Sequence, residues 1–162
     1  MGVSNLKSMS VKDSGWLFKN IIAAVDGSEY SDRAARAAAQ LSKKFNAKLT
    51  FVTVLAVPEY VVLEGNAPGA VLDRIYTDST ERANEVIAKA TKIARSEGVD
   101  SNGQVLSNVR SIVQAIVEYS EREKADLIVL GTRGMSGFKR LLLGSVSSGV
   151  ANHASCSVLI VK

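Results

Sequence analysis

The sequence predicts an α/β fold: a single-domain, doubly wound, five-stranded parallel sheet with helices on both faces. Three observations carry that prediction. Short apolar, β-branched runs alternate with amphipathic stretches in the order β-α-β-α-β-α-β-α-β, and such alternation demands right-handed crossovers over a parallel sheet. The chain has 162 residues and no internal repeat, the size of one domain. Hydrophobic residues make up 46% and charged residues 22%, which excludes wholesale disorder and supports a core without staples.

The elements follow in order. Residues 1–18 lack helical or strand periodicity and read as a mobile leader, with Trp16 and Phe18 available to dock on a body spanning 19–162. Asn20–Val25 (NIIAAV) is a buried strand that runs into an Asp26-Gly27-Ser28 turn. Ser28–Phe45 spaces Ala34, Ala38, Leu41 and Phe45 by three or four, the mark of an amphipathic helix. Lys48–Val57 is a continuous β-branched run, as for a strand covered on both faces, and Pro58 stops it. Gly65, Pro68 and Gly69 lie in a loop before a long helix with Leu72, Ile75, Ala83, Val86, Ala90 and Ile93 on one face, ended by Gly98.

Residues 100–106 make a weak strand. Val109–Lys124 is helical, with Ile112, Val113, Ile116 and Val117 inward and Glu118, Glu121, Arg122, Glu123 and Lys124 on a solvated face. Ala125–Leu130 is a buried strand with Asp126 as its solvated start. A glycine-rich loop runs from Gly131 to Gly144, Ser145–Ala154 forms a short helix, and Ser157–Val161 is the final strand. In open sheets of this kind ligands bind beyond the carboxyl ends of the strands, where strand order reverses. That directs attention to Asp26 and to the loop from Gly131.

Several chemistries are excluded. The single Cys156 makes no intrachain disulfide, and no Cys/His cluster offers a zinc site. With no run of signal-peptide or membrane-spanning length, the expected location is cytoplasmic. The lone His153, near the end of a helix, leaves no hydrolytic triad to defend. Neither a Gly-x-x-x-x-Gly-Lys-Ser/Thr loop nor a Gly-x-Gly-x-x-Gly fingerprint occurs.

The loop GTRGMSGFKRLLLGSVSSG holds Gly131, Gly134, Gly137, Gly144 and Gly149, five of the twelve glycines in the chain. Glycine permits positive φ and lets N–H groups approach a ligand, and the helix opening at Gly144-Ser145 offers free N–H groups to a phosphate. Ser145 and Ser147 add hydroxyl donors. The alternative is that the glycines only shape a turn and Ser145 only caps a helix. The whole set, after a strand and before a helix at a switch point, favours phosphate binding. Arg133, Lys139 and Arg140 are either solvated loop charges or neutralise that phosphate.

The spacing Gly131-x-x-Gly134, nine residues, Gly144-Ser145 resembles the nucleotide-binding signature of the universal stress protein family. The resemblance spans about Phe18–Lys162, through NIIAAVDGSEYS, ADLIVLGTRG and the ending SCSVLIVK. It implies a Rossmann-like fold of the adenine nucleotide alpha hydrolase kind and membership of the ATP-binding branch, with at most slow hydrolysis. By that resemblance Asp26 meets the ribose and adenosine edge, and Val54 presents backbone groups to adenine. Leu130 and Gly131 line the nucleoside, with Thr132 and Arg133 beside them. Gly134 approaches the phosphates, and Gly144, Ser145, Val146 and Ser147 cradle them. A divalent ion, magnesium, accompanies the phosphates. The resemblance also implies a homodimer through Ser157–Val161. One departure is Ser107-Asn108-Val109, where members often carry a glycine-proline pair.

Two other functions fit the same fold: a nucleotide-free dimeric adaptor, and an adenylyl-transferring enzyme, against which the lone His153 argues. The net charge of +4 discriminates among partners. The leader through Lys19 holds three lysines against Asp13, the loop holds three cations, and the remainder has 14 basic and 15 acidic groups. No basic stripe along a helix is left for a nucleic-acid backbone.

Overall fold

The computed structural model describes residues 17–55, 69–107, 109–134 and 143–162. Among them, nine elements alternate in the expected order: β1 (Asn20–Ala24), α1 (Glu29–Phe45), β2 (Lys48–Val54), α2 (Gly69–Ser96), β3 (Asn102–Leu106), α3 (Ile112–Arg122), β4 (Leu127–Gly131), α4 (Ser145–His153) and β5 (Ser157–Val161). The strands form one parallel sheet in the order β3-β2-β1-β4-β5. Ile21 pairs with Leu49 on one side and Leu127 on the other, so β1 is central. The chain winds outward from β1 through β2 to β3, then returns to lay β4 and β5 on the opposite side. The strand order therefore reverses between β1 and β4.

Side-chain alternation gives β1 two apolar faces, which is why its sequence reads as a continuous run. Ile21 and Ala23 face α1 and α2 and pack with Leu49, Phe51, Leu127 and Val129. Helix α1 meets this face through Ala34, Ala35, Ala38 and Ala39, all fully buried, and these small side chains let the helix backbone lie close to the strands. Ala90 and Ala94 do the same for α2. On the other face Ile22 and Val52 pack against Tyr119 of α3, and Ile128 and Leu130 pack against Ile116 and Val150.

Local signals set most element ends. Ser28 caps α1, its Oγ accepting from the Ser31 N–H, a contact worth about 1 kcal/mol. Asn46 closes the helix in the left-handed region at φ 53°. Gly98 (φ +76°) follows α2 in the same region, where a Cβ is costly. β2 ends at Val54, with Leu55 already outside the strand, short of the expected Val57; Val57, Pro58, Gly65 and Pro68 lie outside the described residues.

Three expectations change. Helix α3 begins at Ile112 rather than Val109, because Ser111 caps it with Oγ accepting from the Gln114 N–H. Ile112 consequently stands 39% exposed instead of inward. Asp126 is no solvated strand start: its Oδ2 accepts from the backbone N–H groups of Lys19 (2.7 Å) and Asn20 (2.8 Å). It thereby ties the entry of β1 to that of β4. Phe18 docks edge-to-face on Phe45 as expected, ring centroids 5.3 Å apart, whereas Trp16 and residues 1–15 lie outside the described residues.

Candidate functional site

The switch point opens into a cavity of about 640 Å³, within the range of small-molecule sites. Its floor comes from the carboxyl ends of β1, β2 and β4. One wall is α2, through Ser79, Arg82, Ala83, Glu85 and Val86. The facing wall is apolar, made of Ile112 and Ile116 from α3 and Val146 from α4.

The turn after β1 is fixed by its own polar groups. Gly27 adopts φ +85°, a conformation glycine takes without strain, and its N–H donates to Ser31 Oγ at 3.1 Å. Ser31 Oγ donates in turn to the Ser28 carbonyl at 2.9 Å. Asp26 Oδ1 accepts from the Ser28 N–H at 3.0 Å, which aims the carboxylate across the cavity mouth toward β4.

At β2 the strand pattern leaves an edge without a partner among the described residues. The Val52 carbonyl faces β1, accepting from Val25 N–H at 2.9 Å, and the Leu55 N–H faces β3, donating to Leu106 at 2.8 Å. Backbone groups alternate sides along a strand, so Val54 directs both its N–H and its C=O toward the place where β1 has already turned away. Gly27, the residue that would otherwise reach it, gives its N–H to Ser31 instead. Val54 thus presents a donor and an acceptor side by side to the cavity it lines.

The β4 end brings the glycines together, but for a reason the sequence reading did not supply. Neither Gly131, Gly134, Gly144 nor Gly149 has a positive φ; what each needs is the absence of a Cβ. A Cβ on Gly131 would stand 2.8 Å from the Tyr30 backbone, where the first turn of α1 crosses β4. On Gly134 it would meet Asp26 Oδ2 at 2.7 Å, on Gly144 the Thr132 carbonyl at 3.2 Å, and on Gly149 Val113 Cγ2 at 2.7 Å. Gly137 lies outside the described residues, as do Lys139 and Arg140.

Of the expected site residues, Asp26, Val54, Leu130, Gly131, Arg133, Gly134, Val146 and Ser147 line the cavity. Thr132, Gly144 and Ser145 do not. Thr132 is buried in the scaffold: its N–H donates to Val161 (2.8 Å) and its carbonyl accepts from Gly144 N–H (2.7 Å). That last bond consumes the Gly144 N–H and holds the start of α4 beside the end of β4. Ser147 Oγ likewise donates to the Gly131 carbonyl at 2.6 Å, so its hydroxyl proton serves the scaffold rather than a ligand. Gly144 caps α4 with no side-chain hydrogen bond, and among the described residues none takes the N–H groups of the first turn, which suit an anion. Ser145, the first helical residue, is not the cap.

Arg133 stands with its guanidinium 5.9 Å from the Tyr30 ring centroid, and Arg82 faces the cavity from α2. Asp26 and Glu85 balance these two cations among the described lining residues. The sequence reading missed Ser79, Arg82 and Glu85. Ser79, Arg82, Ala83 and Val86 fall at helical spacing on one face, and Ala83 and Val86 had signalled only core. The apolar stripe of α2 extends past the ends of the strands, and there its polar neighbours become a wall.

The universal stress protein family matches residues 17–162. A universal stress protein of Methanocaldococcus jannaschii is 36% identical over 146 residues, covering 90% of this chain and 83% of that one. A solved universal stress protein in complex with cAMP is 30% identical with a TM-score of 0.67, covering 90% of this chain and 98% of the other. The Archaeoglobus fulgidus universal stress protein in complex with dAMP shares the fold at a TM-score of 0.68 and 22% identity, over 90% and 99% of the two chains. With a β3-β2-β1-β4-β5 sheet, a cavity at its switch point and sequence similarity over nearly the whole body, the chain belongs to the universal stress protein family.

Proposed function

We propose that the chain binds ATP and acts in the cytoplasm as a nucleotide-dependent stress-response or signalling module. The observation that carries this reading is the open backbone edge of Val54. A neighbouring C=O and N–H match the amino donor and ring-nitrogen acceptor of adenine, whereas guanine offers the reverse pair. Asp26 then lies near the ribose, and the phosphates run past Gly134 to the uncapped first turn of α4, whose N–H groups and dipole favour negative charge. The relative in complex with cAMP supports an adenine nucleotide here.

Among the described residues no group of three or more His, Cys, Asp or Glu side chains gathers to hold a metal. Magnesium in this reading rides on the phosphate oxygens, where it screens their charge. The pocket hydroxyls of Ser31 and Ser147 already donate within the scaffold, so the reading assigns the protein a conformational output rather than fast turnover. No helix among the described residues is long and apolar enough to cross a membrane. The same reading includes a homodimer through Ser157–Val161.

Titration calorimetry tests it directly. ATP with magnesium gives a saturable isotherm, and GTP binds at least about tenfold more weakly because its edge mismatches Val54. Absence of saturable heat with ATP, or equal affinity for GTP, sinks the assignment.

A further inference from the structure

We infer that Ile112 is the side chain on which the nucleotide base rests, an inference that builds on the adenine-nucleotide reading above. Leu17, Val71, Tyr76, Ile112 and Leu159 are the exposed large hydrophobic residues among those described. Of these, Ile112 is the one that lines the switch-point cavity. Ile116, one helical turn later on the same face, is 3% exposed and packs against Ile128, Leu130 and Val150, with Val54 against the same cluster. Ile112 continues this stripe one turn nearer the start of α3 and lines the same cavity as Val54.

The position is also rigid. Ile112 is the first residue of α3, and Ser111 fixes that start with its capping bond. A β-branched side chain in a helix has little χ1 freedom. An apolar surface is thus held in the same cavity as a donor–acceptor edge, which is what a purine requires: its rim pairs with Val54 while its face covers Ile112. The charged lining from a helix comes instead from α2, through Arg82 and Glu85, and the lining residues of α3, Ile112 and Ile116, have nothing to offer a phosphate. The exposure of Ile112 is the surface the base removes from water.

The test compares wild type with I112A and I112W, titrated with ATP and with AMP. These ligands share the base and differ in phosphate number. I112A weakens both by the same factor, about tenfold, while the free protein still unfolds cooperatively with only a small fall in melting temperature, because the side chain is 39% exposed and lies outside the core clusters. I112W retains binding and shifts its fluorescence emission when AMP is added, beyond any change in wild type. If wild type binds ATP and I112A binds both nucleotides within twofold of it, Ile112 does not carry the base, though the adenine-nucleotide reading stands. A loss confined to ATP places the residue at the phosphate end and overturns the inference, as does silent emission from a folded I112W. Failure of wild type to bind either nucleotide removes the underlying reading instead.

Discussion

Asp26 Oδ2 lies 2.7 Å from the point where a Cβ on Gly134 would stand. This contact joins the turn after β1 to the loop after β4 across the strand reversal, so the two segments share one space. Under the nucleotide reading, Gly134→Ala must displace either the carboxylate or the ligand. The carboxylate can rotate, with loss of the Ser28 N–H bond to Oδ1, so the cost to the free protein stays within about 1 kcal/mol. Nucleotide affinity falls at least about tenfold, since a methyl group then occupies the phosphate path. Calorimetry alongside thermal melts checks both numbers. Equal ATP affinity in Gly134→Ala and wild type removes Gly134 from the site.

Gly149 separates from the other loop glycines because its role is helix packing. A Cβ there would meet Val113 Cγ2 at 2.7 Å and Cγ1 at 3.1 Å, where α4 lies on α3. Alanine in a helix interior gains up to about 1 kcal/mol over glycine, but overpacking costs about 1–3 kcal/mol. Gly149→Ala is therefore expected to destabilise the protein by about 1 kcal/mol. In a Val113→Ala background the clash is gone and the same change stabilises it. Urea denaturation of the four proteins reads the sign reversal; a destabilisation unchanged by Val113→Ala rejects the packing account.

These two glycines show what the sequence disclosed and what it hid. Fold class and the order of elements along the chain were legible, because both faces of the sheet are covered and apolar runs such as Ile21–Ala23 and Leu127–Leu130 have no other use. The region of the cavity was legible too, since a chain that returns to place β4 beside β1 must leave a crevice there. The local reasons were not. Whether Gly131 serves a ligand or the approach of Tyr30, and whether Ser147 donates to a phosphate or to Gly131, depends on which neighbours the fold delivers. Asp126 looked like a solvated strand start because its partners, the N–H groups of Lys19 and Asn20, lie more than a hundred positions away.

The alkaline limb of stability follows from two groups remote from the cavity. Burial raises the Cys156 thiol above its ordinary 9.0, helped by the Asp126 carboxylate. Burial likewise raises Tyr119 above 10.0, with Glu123 adding to the effect and Arg122, 4.8 Å over the ring, opposing it. Both folded values exceed the unfolded ones, so in the window between them the folded chain holds more protons. Stability then falls as pH rises, beginning near pH 9. Cys156→Ala combined with Tyr119→Phe should flatten the decline in melting temperature from pH 9 upward, relative to wild type. An identical slope in the double variant rules these groups out as its source.

The proposed dimer places its demand on β5. This strand closes the sheet beside β4, and an unpaired strand edge invites another chain unless it is covered. Leu159, in the middle of β5 and paired with Val129, is 37% exposed in the monomer. A twofold contact brings Leu159 near its own mate, so one substitution acts twice. Leu159→Asp sets two carboxylates against each other in place of an apolar contact. Association should weaken by at least about a hundredfold in favour of monomer, read by sedimentation velocity over a concentration series. The monomer should retain its melting temperature extrapolated to low concentration, because Leu159 stands outside the core clusters. A wild type that sediments as a monomer at high concentration, or a Leu159→Asp variant that dimerises as wild type does, excludes β5 as the interface.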